Sequence, residues 1–209
     1  MDEFPEFGRG SLEALRQPME DGHISISRAA GSVSFPAQFM LIAAANPCPC
    51  GYLGDDKKEC RCTVHQILSY QKKLSGPIMD RIDLHLNVAS VEVKKLILDN
   101  SQPEEKREKS VSVKERVLRG REIQKKRFAK IEGVHCNANM RNSHLREMVH
   151  LAKTANLLLK QAVNKFGLSA RTYFRLIKVA QTIADLDNSG EISDAHIAEA
   201  LQYRIRTGE

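Results

Sequence analysis

Apolar residues along this chain follow two rhythms, and the change falls near residue 99. In the first half they alternate with polar residues or form short unbroken runs, which is a strand signature. Ile24 and Ile26 alternate with polar neighbours, as do Val33 and Phe35, and the intervening RAAGS predicts a hairpin. Residues 39–45 (FMLIAAA) are continuously apolar, which predicts a parallel strand buried on both faces. Ile82, Leu84, Leu86 and Val88 in RIDLHLNV predict a further strand. Two helical stretches lie among them. Leu12, Leu15 and Met19 follow Ser11, a candidate N-cap, with Pro18 disturbing the end; Val64, Ile67, Leu68 and Leu74 precede the SGP that stops the second.

The polar, charged DNSQPEEKREKS of residues 99–110 reads as a boundary between residues 1–98 and residues 99–209. Beyond it the period is helical. Ser112 and Glu115 have capping-box spacing at the start of a basic helix. Leu145, Met148, Val149, Ala152, Leu158, Leu159, Val163 and Phe166 trace one face of a single long helix stopped at Gly167. Ser169 caps another, striped by Phe174, Ile177, Ala180 and Ile183, and a last helix follows Ser193. Stripes of this kind are core packing. The pattern predicts an α/β first half followed by an all-α second half.

Composition narrows the class. Hydrophobic residues make up 42% and charged residues 28%, values of an ordinary soluble protein. No apolar run approaches the ~20 residues that span a bilayer, and no secretory signal pattern opens the sequence. A cytoplasmic protein with no membrane partner is expected, where thiols stay reduced and open to metals. The net charge of +6 is local: residues 104–130 hold eleven Lys/Arg against five Asp/Glu, which leaves 21 of each sign elsewhere. This segment, densest at Lys125, Lys126 and Arg127, is either a solvated helix face or a footprint for nucleic-acid phosphates.

Four sets of residues carry chemistry. Asp2 and Glu3 are adjacent carboxylates; such a pair can divide labour on a nucleotide, one holding Mg²⁺ and the other activating water. Asn46 ends the apolar run 39–45, where ligands of parallel sheets sit, and its amide can both donate and accept; it also suits a simple turn before Pro47. Arg81 precedes a predicted strand and can neutralise a transferring phosphoryl group, or pair locally with Asp80 or Asp83. Arg171 and Arg175 share a face at the start of a helix, suited to phosphate or to acidic partners. Finally, Cys48-Pro49-Cys50 and Cys60-Arg61-Cys62 form two C-x-C pairs. In extended backbone each pair offers two sulfurs to one side, and four thiolates suit tetrahedral Zn²⁺. Reduced free thiols and disulfides remain alternatives. Cys136 stands alone as a small apolar residue.

The order of DEFPEF, LRQPMEDG, SFPAQFMLIAAANPCPCG, CRC, SGPIMDRIDLH, LSARTYFRLIKVAQTIADL and EALQYR resembles the Mg-chelatase-like AAA+ ATPases of the ComM/YifB type over essentially the whole chain. The resemblance implies that Asp2 and Glu3 are the Walker B pair, Asn46 is sensor 1, Arg81 is the arginine finger and Arg171 is the sensor 2 arginine, with Arg175 as the other candidate. It implies that the hairpin over 24–35, with Arg28 near its tip, is the insertion that helicase relatives point into a central channel. It further implies an Mg²⁺-dependent ATPase in a homo-oligomeric ring, a hexamer, with ATP at subunit interfaces and DNA as the remodelled partner. The same core drives metal-chelatase motors of tetrapyrrole synthesis, and a zinc-clipped, non-enzymatic DNA-binding module also suits the residues.

One departure matters. No G-x-x-x-x-G-K-[ST] phosphate loop occurs in the sequence. The family places that loop upstream of Walker B, so the chain is expected to be the C-terminal portion of an AAA+ P-loop core, from Walker B onward, followed by a helical lid. Alone it is expected to bind ATP poorly. A second pattern is a decoy. DLDNSGEISDAH fills several positions of an EF-hand loop but puts His196 where calcium needs a bidentate glutamate, so it is expected to be a turn capped by Ser193.

Overall fold

The computed structural model describes residues 1–29, 31–74, 76–88 and 108–204. They fall into two compact units. One holds the described residues up to Ile82 together with Val88, and the other holds Asp83–Asn87 with the described residues from 108 onward. Most of the predicted boundary at 99–110, its midpoint included, lies outside the described residues.

The first unit mixes short helices with extended chain. Met1 and Ala43 lie side by side in parallel. Ala44 donates to the Met1 carbonyl (2.9 Å), Phe4 donates to the Ala44 carbonyl (2.8 Å) and the Met1 ammonium donates to the Ile42 carbonyl (2.7 Å). A 3-10 turn, Phe4–Glu6, then leads into α1 (Arg9–Ala14) and α2 (Arg16–Asp21). The single predicted helix is thus two. Gly8, not Ser11, precedes α1, and Pro18 sits in the first turn of α2, where its missing N–H costs nothing. Gly22 closes α2 with φ 69°, a left-handed cap that glycine adopts without strain. The hairpin follows as predicted: β1 (His23–Arg28) pairs antiparallel with β2 (Gly31–Pro36), Ile24 opposite Phe35 and Ile26 opposite Val33. Helices α3 (Val64–Gln71) and α4 (Gly76–Met79) complete the unit. Its small core is Phe4, Leu12 and Ile78, with Leu15, Leu41, Leu74 and Ile82 against them.

Two expectations are corrected here. Residues 39–45 run extended beside Met1 but form no regular strand, and they are not buried on both faces: Leu41 faces the core, but Met40 and Ile42 are 83% and 70% exposed. Among the described residues, apolar cover reaches Leu41 but leaves Phe39, Met40 and Ile42 exposed. The strand expected in RIDLHLNV is likewise not formed; Leu84, Leu86 and Val88 are exposed, and the His85 amide donates to the Tyr203 carbonyl. Val64 and Leu68, expected on the apolar face of α3, are exposed.

The second unit is helical: α5 (Ser110–Phe128), a 3-10 turn Asn137–Asn139, α6 (Asn142–Met148), α7 (Lys153–Phe166), α8 (Ala170–Leu186) and α9 (Asp194–Gln202). Helix α5 begins two residues before the predicted capping box, after Lys109, with no side-chain cap. The predicted long helix is two, α6 and α7, because residues 149–152 extend to let Leu151 bridge Ile192. Gly167 ends α7 in the left-handed region, as its position predicts, and Ser169 caps α8 by accepting from the Thr172 amide. The core joins Phe128, Leu145, Leu159, Leu176, Ile177, Ile192 and Ile197.

Helix α5 approaches α8 closely at Gly120. A Cβ there would lie 3.2 Å from Leu186 Cδ2 and 3.9 Å from the Asp185 carbonyl carbon. Gly120→Val is expected to destabilise the unit by about 1–3 kcal/mol through overpacking. Urea unfolding followed by helical circular dichroism measures it; an unchanged midpoint would show that the two helices part without cost.

Candidate functional site

Parallel pairing brings the carboxylate pair and Asn46 to one end of two adjacent segments. Phe4 follows Glu3 directly and is hydrogen-bonded to Ala44, two residues before Asn46. Phe4 is 2% exposed, and its burial fixes where the chain turns. Glu3 takes that turn with φ 48° and ψ 45°, the left-handed region that a side chain occupies at a cost of about 1–2 kcal/mol. The Glu3 amide donates to Asp2 Oδ1 at 2.9 Å, and both carboxylates are exposed to solvent. Asn46 is exposed as well, so all three polar groups are presented outward.

The chain continues from Asn46 straight into the cysteine loop. Cys48 is fully buried while Cys50, Cys60 and Cys62 are half-buried. The four Sγ atoms all lie within 4.8 Å of one another, so the group can hold a metal ion. Tight turns make this possible: the Gly51 amide bonds to the Cys48 carbonyl (3.0 Å), with Gly51 at φ 82° and Gly54 at φ 79°. The second pair runs directly into α3, whose first turn is locked by a capping box between Thr63 and Gln66. The Cys50 thiol is lowered to about 6 because the backbone N–H groups of Tyr52 and Arg61 stabilise its thiolate. Cys62 is pushed up to about 12, by loss of hydration and then by its hydrogen bond to Cys50. His65, on α3, is exposed. Cys136 is half-buried rather than fully so, and its thiol donates to Asn139 Oδ1 at 3.0 Å.

Arg81 also belongs to the first unit. Its Nε lies 3.1 Å from Glu20 Oε2 on α2, and Nη1 donates to the Pro77 carbonyl at 2.7 Å. The side chain is 10% exposed. The local acidic partner is therefore Glu20, sixty-one residues away in sequence, a pairing that no spacing announced. Arg171 and Arg175 lie in the second unit. Arg171 is exposed in the first turn of α8, whereas Arg175 binds Asp83 Oδ1 at 2.6 Å.

The basic segment resolves into helix α5, with Lys114, Arg119, Arg121, Lys125 and Lys126 exposed. Arg127 is turned inward. It forks onto the fully buried Asp185 carboxylate, and its Nη1 also donates to Asn137 Oδ1 at 2.9 Å. Asn137 Nδ2 (2.7 Å) and Gln181 Nε2 (3.1 Å) complete the carboxylate's partners. Sequence reasoning counted Arg127 among the phosphate contacts and missed this network. The helical period offered the only signal, since Gln124 and Phe128, its neighbours on that side of α5, are buried. Asp185 is also the first position of the EF-hand-like stretch; its oxygens are taken, and Ser193 caps α9 as predicted.

Comparison with known proteins agrees with the resemblance. Residues 1–96 match the family described as magnesium chelatase, subunit ChlI, and residues 107–204 match its C-terminal counterpart. Over 98% of its length the chain is 44% identical to the competence protein ComM of Haemophilus influenzae, and over 98% it is 40% identical to the protein YifB of Escherichia coli. A protein of Mycobacterium tuberculosis, Rv2897c, is 33% identical over 98% of the chain. The chain spans 38% of the length of the ComM and YifB relatives. Across nearly all of its residues, the chain belongs to the family of the magnesium chelatase subunit ChlI.

Proposed function

We propose that this chain is the C-terminal part of a ring-forming, Mg²⁺-dependent ATPase that remodels DNA. The observation that carries the reading is the placement of Asp2, Glu3 and Asn46 at one end of adjacent parallel segments, where open α/β sheets bind ligands. Asp2 would hold Mg²⁺, Glu3 would orient and deprotonate the attacking water, and Asn46 would position that water; bound Mg²⁺ would neutralise phosphate charge. Arg81 would serve the nucleotide of a neighbouring subunit, and Arg171 is the phosphate-contacting candidate of the helical unit. The exposed apolar run at 39–45 supports the truncated-core reading, because a strand of that composition is stable when covered. In a longer protein supplying the phosphate loop, ATP hydrolysis stimulated by DNA is the direct test; a DNA-independent ATPase that instead serves tetrapyrrole metal insertion is the second reading, favoured by the ChlI family match.

Helix α5 is the proposed DNA contact. Lys125→Glu with Lys126→Glu removes two exposed charges without touching Arg127. Weaker DNA binding is expected, and the slope of log K against log salt should fall by about 2, one for each lost phosphate contact. An unchanged slope would make α5 a solvated face.

A further inference from the structure

We infer that Cys48, Cys50, Cys60 and Cys62 bind a single Zn²⁺ that fastens the Asn46 end of the 39–45 segment to helix α3. Four sulfurs around one tetrahedral Zn²⁺ at ~2.3 Å lie ~3.8 Å apart. Here Cys48 Sγ lies 3.4 Å from Cys50 Sγ and 3.7 Å from Cys60 Sγ, with 3.6 Å between Cys50 and Cys60. A disulfide needs ~2.05 Å, so these sulfurs are not bridged. They converge from two separate C-x-C pairs, twelve residues apart, with Cys62 completing the group and all four Sγ atoms within 4.8 Å of one another. Such a group without an ion stacks weak donors against weak acceptors. As thiolates around a divalent cation the same positions become a complete ligand set.

Ligand chemistry selects the ion. Four sulfurs with no carboxylate or imidazole within the set suit a soft, tetrahedral metal and disfavour Mg²⁺ or Ca²⁺. With all four ligands from protein, no position stays open for water or substrate, which makes the ion structural and not catalytic.

The consequence for Asn46 follows from what the loop touches. Cys48 is two residues from Asn46, and a Cβ on Gly51 would meet Asn46 Cγ at 4.0 Å, so the loop backbone lies against the amide. Gln71 Nε2 of α3 donates to the Pro47 carbonyl at 3.5 Å, a long bond that does not hold the segment alone. Cys60 and Cys62 lead directly into α3. A metal shared by both pairs therefore joins the two ends of a loop that has little apolar burial of its own.

The chain purified without chelator is expected to carry about one zinc, by native mass spectrometry and elemental analysis. Replacement by Co²⁺ should give the thiolate charge-transfer and visible bands of a tetrahedral tetrathiolate, lost in Cys60→Ser. A strong chelator should then raise hydrogen exchange across residues 46–63 while the α8 and α9 amides keep their protection. Three results would overturn the site: four freely alkylated thiols with no metal, a disulfide in the purified chain, or iron in place of zinc. Stoichiometric zinc whose removal leaves exchange at 46–63 unchanged would overturn the fastening. None of these readouts involves ATP, so their failure leaves the ATPase reading untouched, and the reverse holds too.

Discussion

On the proposed ATPase reading, alanine at Arg81, in a protein that also supplies the phosphate loop, is expected to cut ATP turnover by ~10³–10⁵ while nucleotide binding changes far less. A guanidinium that stabilises charge on a transferring phosphoryl acts mainly in the transition state, so its loss appears in turnover. Geometry supplies a rigid mount: the backbone amide of Arg81 is held by the Ile78 carbonyl at 2.9 Å, and Ile78 is fully buried. It also supplies a competing role, because the side chain pairs with Glu20. Glu20→Gln separates the two. If Arg81 serves only to partner Glu20, that variant reproduces the loss; if Arg81 is a finger, Glu20→Gln retains most turnover. Mixing Arg81→Ala with Glu3→Gln subunits tests action in trans, since a hybrid interface can join an intact Glu3 to an intact Arg81. Co-assembled rings that regain no activity would count against a finger.

The largest effect on stability is expected at Asp185. It is fully buried, and Arg127, Asn137 and Gln181 all direct donors at its carboxylate. Asp185→Ala leaves a guanidinium that is 16% exposed without its counter-charge, a change that costs about 3–5 kcal/mol. That is a large share of the ~5–15 kcal/mol that holds a domain folded. Replacing both partners, Asp185→Leu with Arg127→Met, is expected to recover much of the loss, because no unpaired charge remains. Chemical denaturation of the single and double variants measures the coupling; equal losses in both would show that packing, not the ion pair, is at stake. If α5 contacts DNA as proposed, Arg127→Ala should weaken that binding only through unfolding, visible as a lowered melting temperature before any change in salt slope.

Much of the second unit was legible without coordinates. Gly167 and Ser169 announce where α7 ends and α8 begins, because a left-handed cap and a hydroxyl acceptor are local requirements. The hairpin was legible for the same reason, its alternation and turn residues acting within fourteen residues. The break between α6 and α7 was not, since it depends on Leu151 meeting Ile192 forty-one residues later. In the first unit the apolar run 39–45 reads as a parallel strand buried on both faces, and the structure shows neither the strand nor the burial, because an apolar composition does not itself supply the elements that would cover it.

The sequence by itself determined the residue types at the candidate site: adjacent carboxylates, an asparagine after an apolar run, and two C-x-C pairs. It determined the family as well, because order and spacing of short motifs survive without coordinates. Only tertiary structure decided which of those groups meet. Parallel pairing of residues 1–4 with 42–44 brings Glu3 and Asn46 to the same end, and two glycine turns let four sulfurs converge. Burial gave Arg81 to Glu20 and Arg127 to Asp185, removing the latter from the surface where its charge had suggested phosphate. A charged side chain's partner is chosen by three-dimensional distance and by the cost of desolvation, and neither is written in the local sequence.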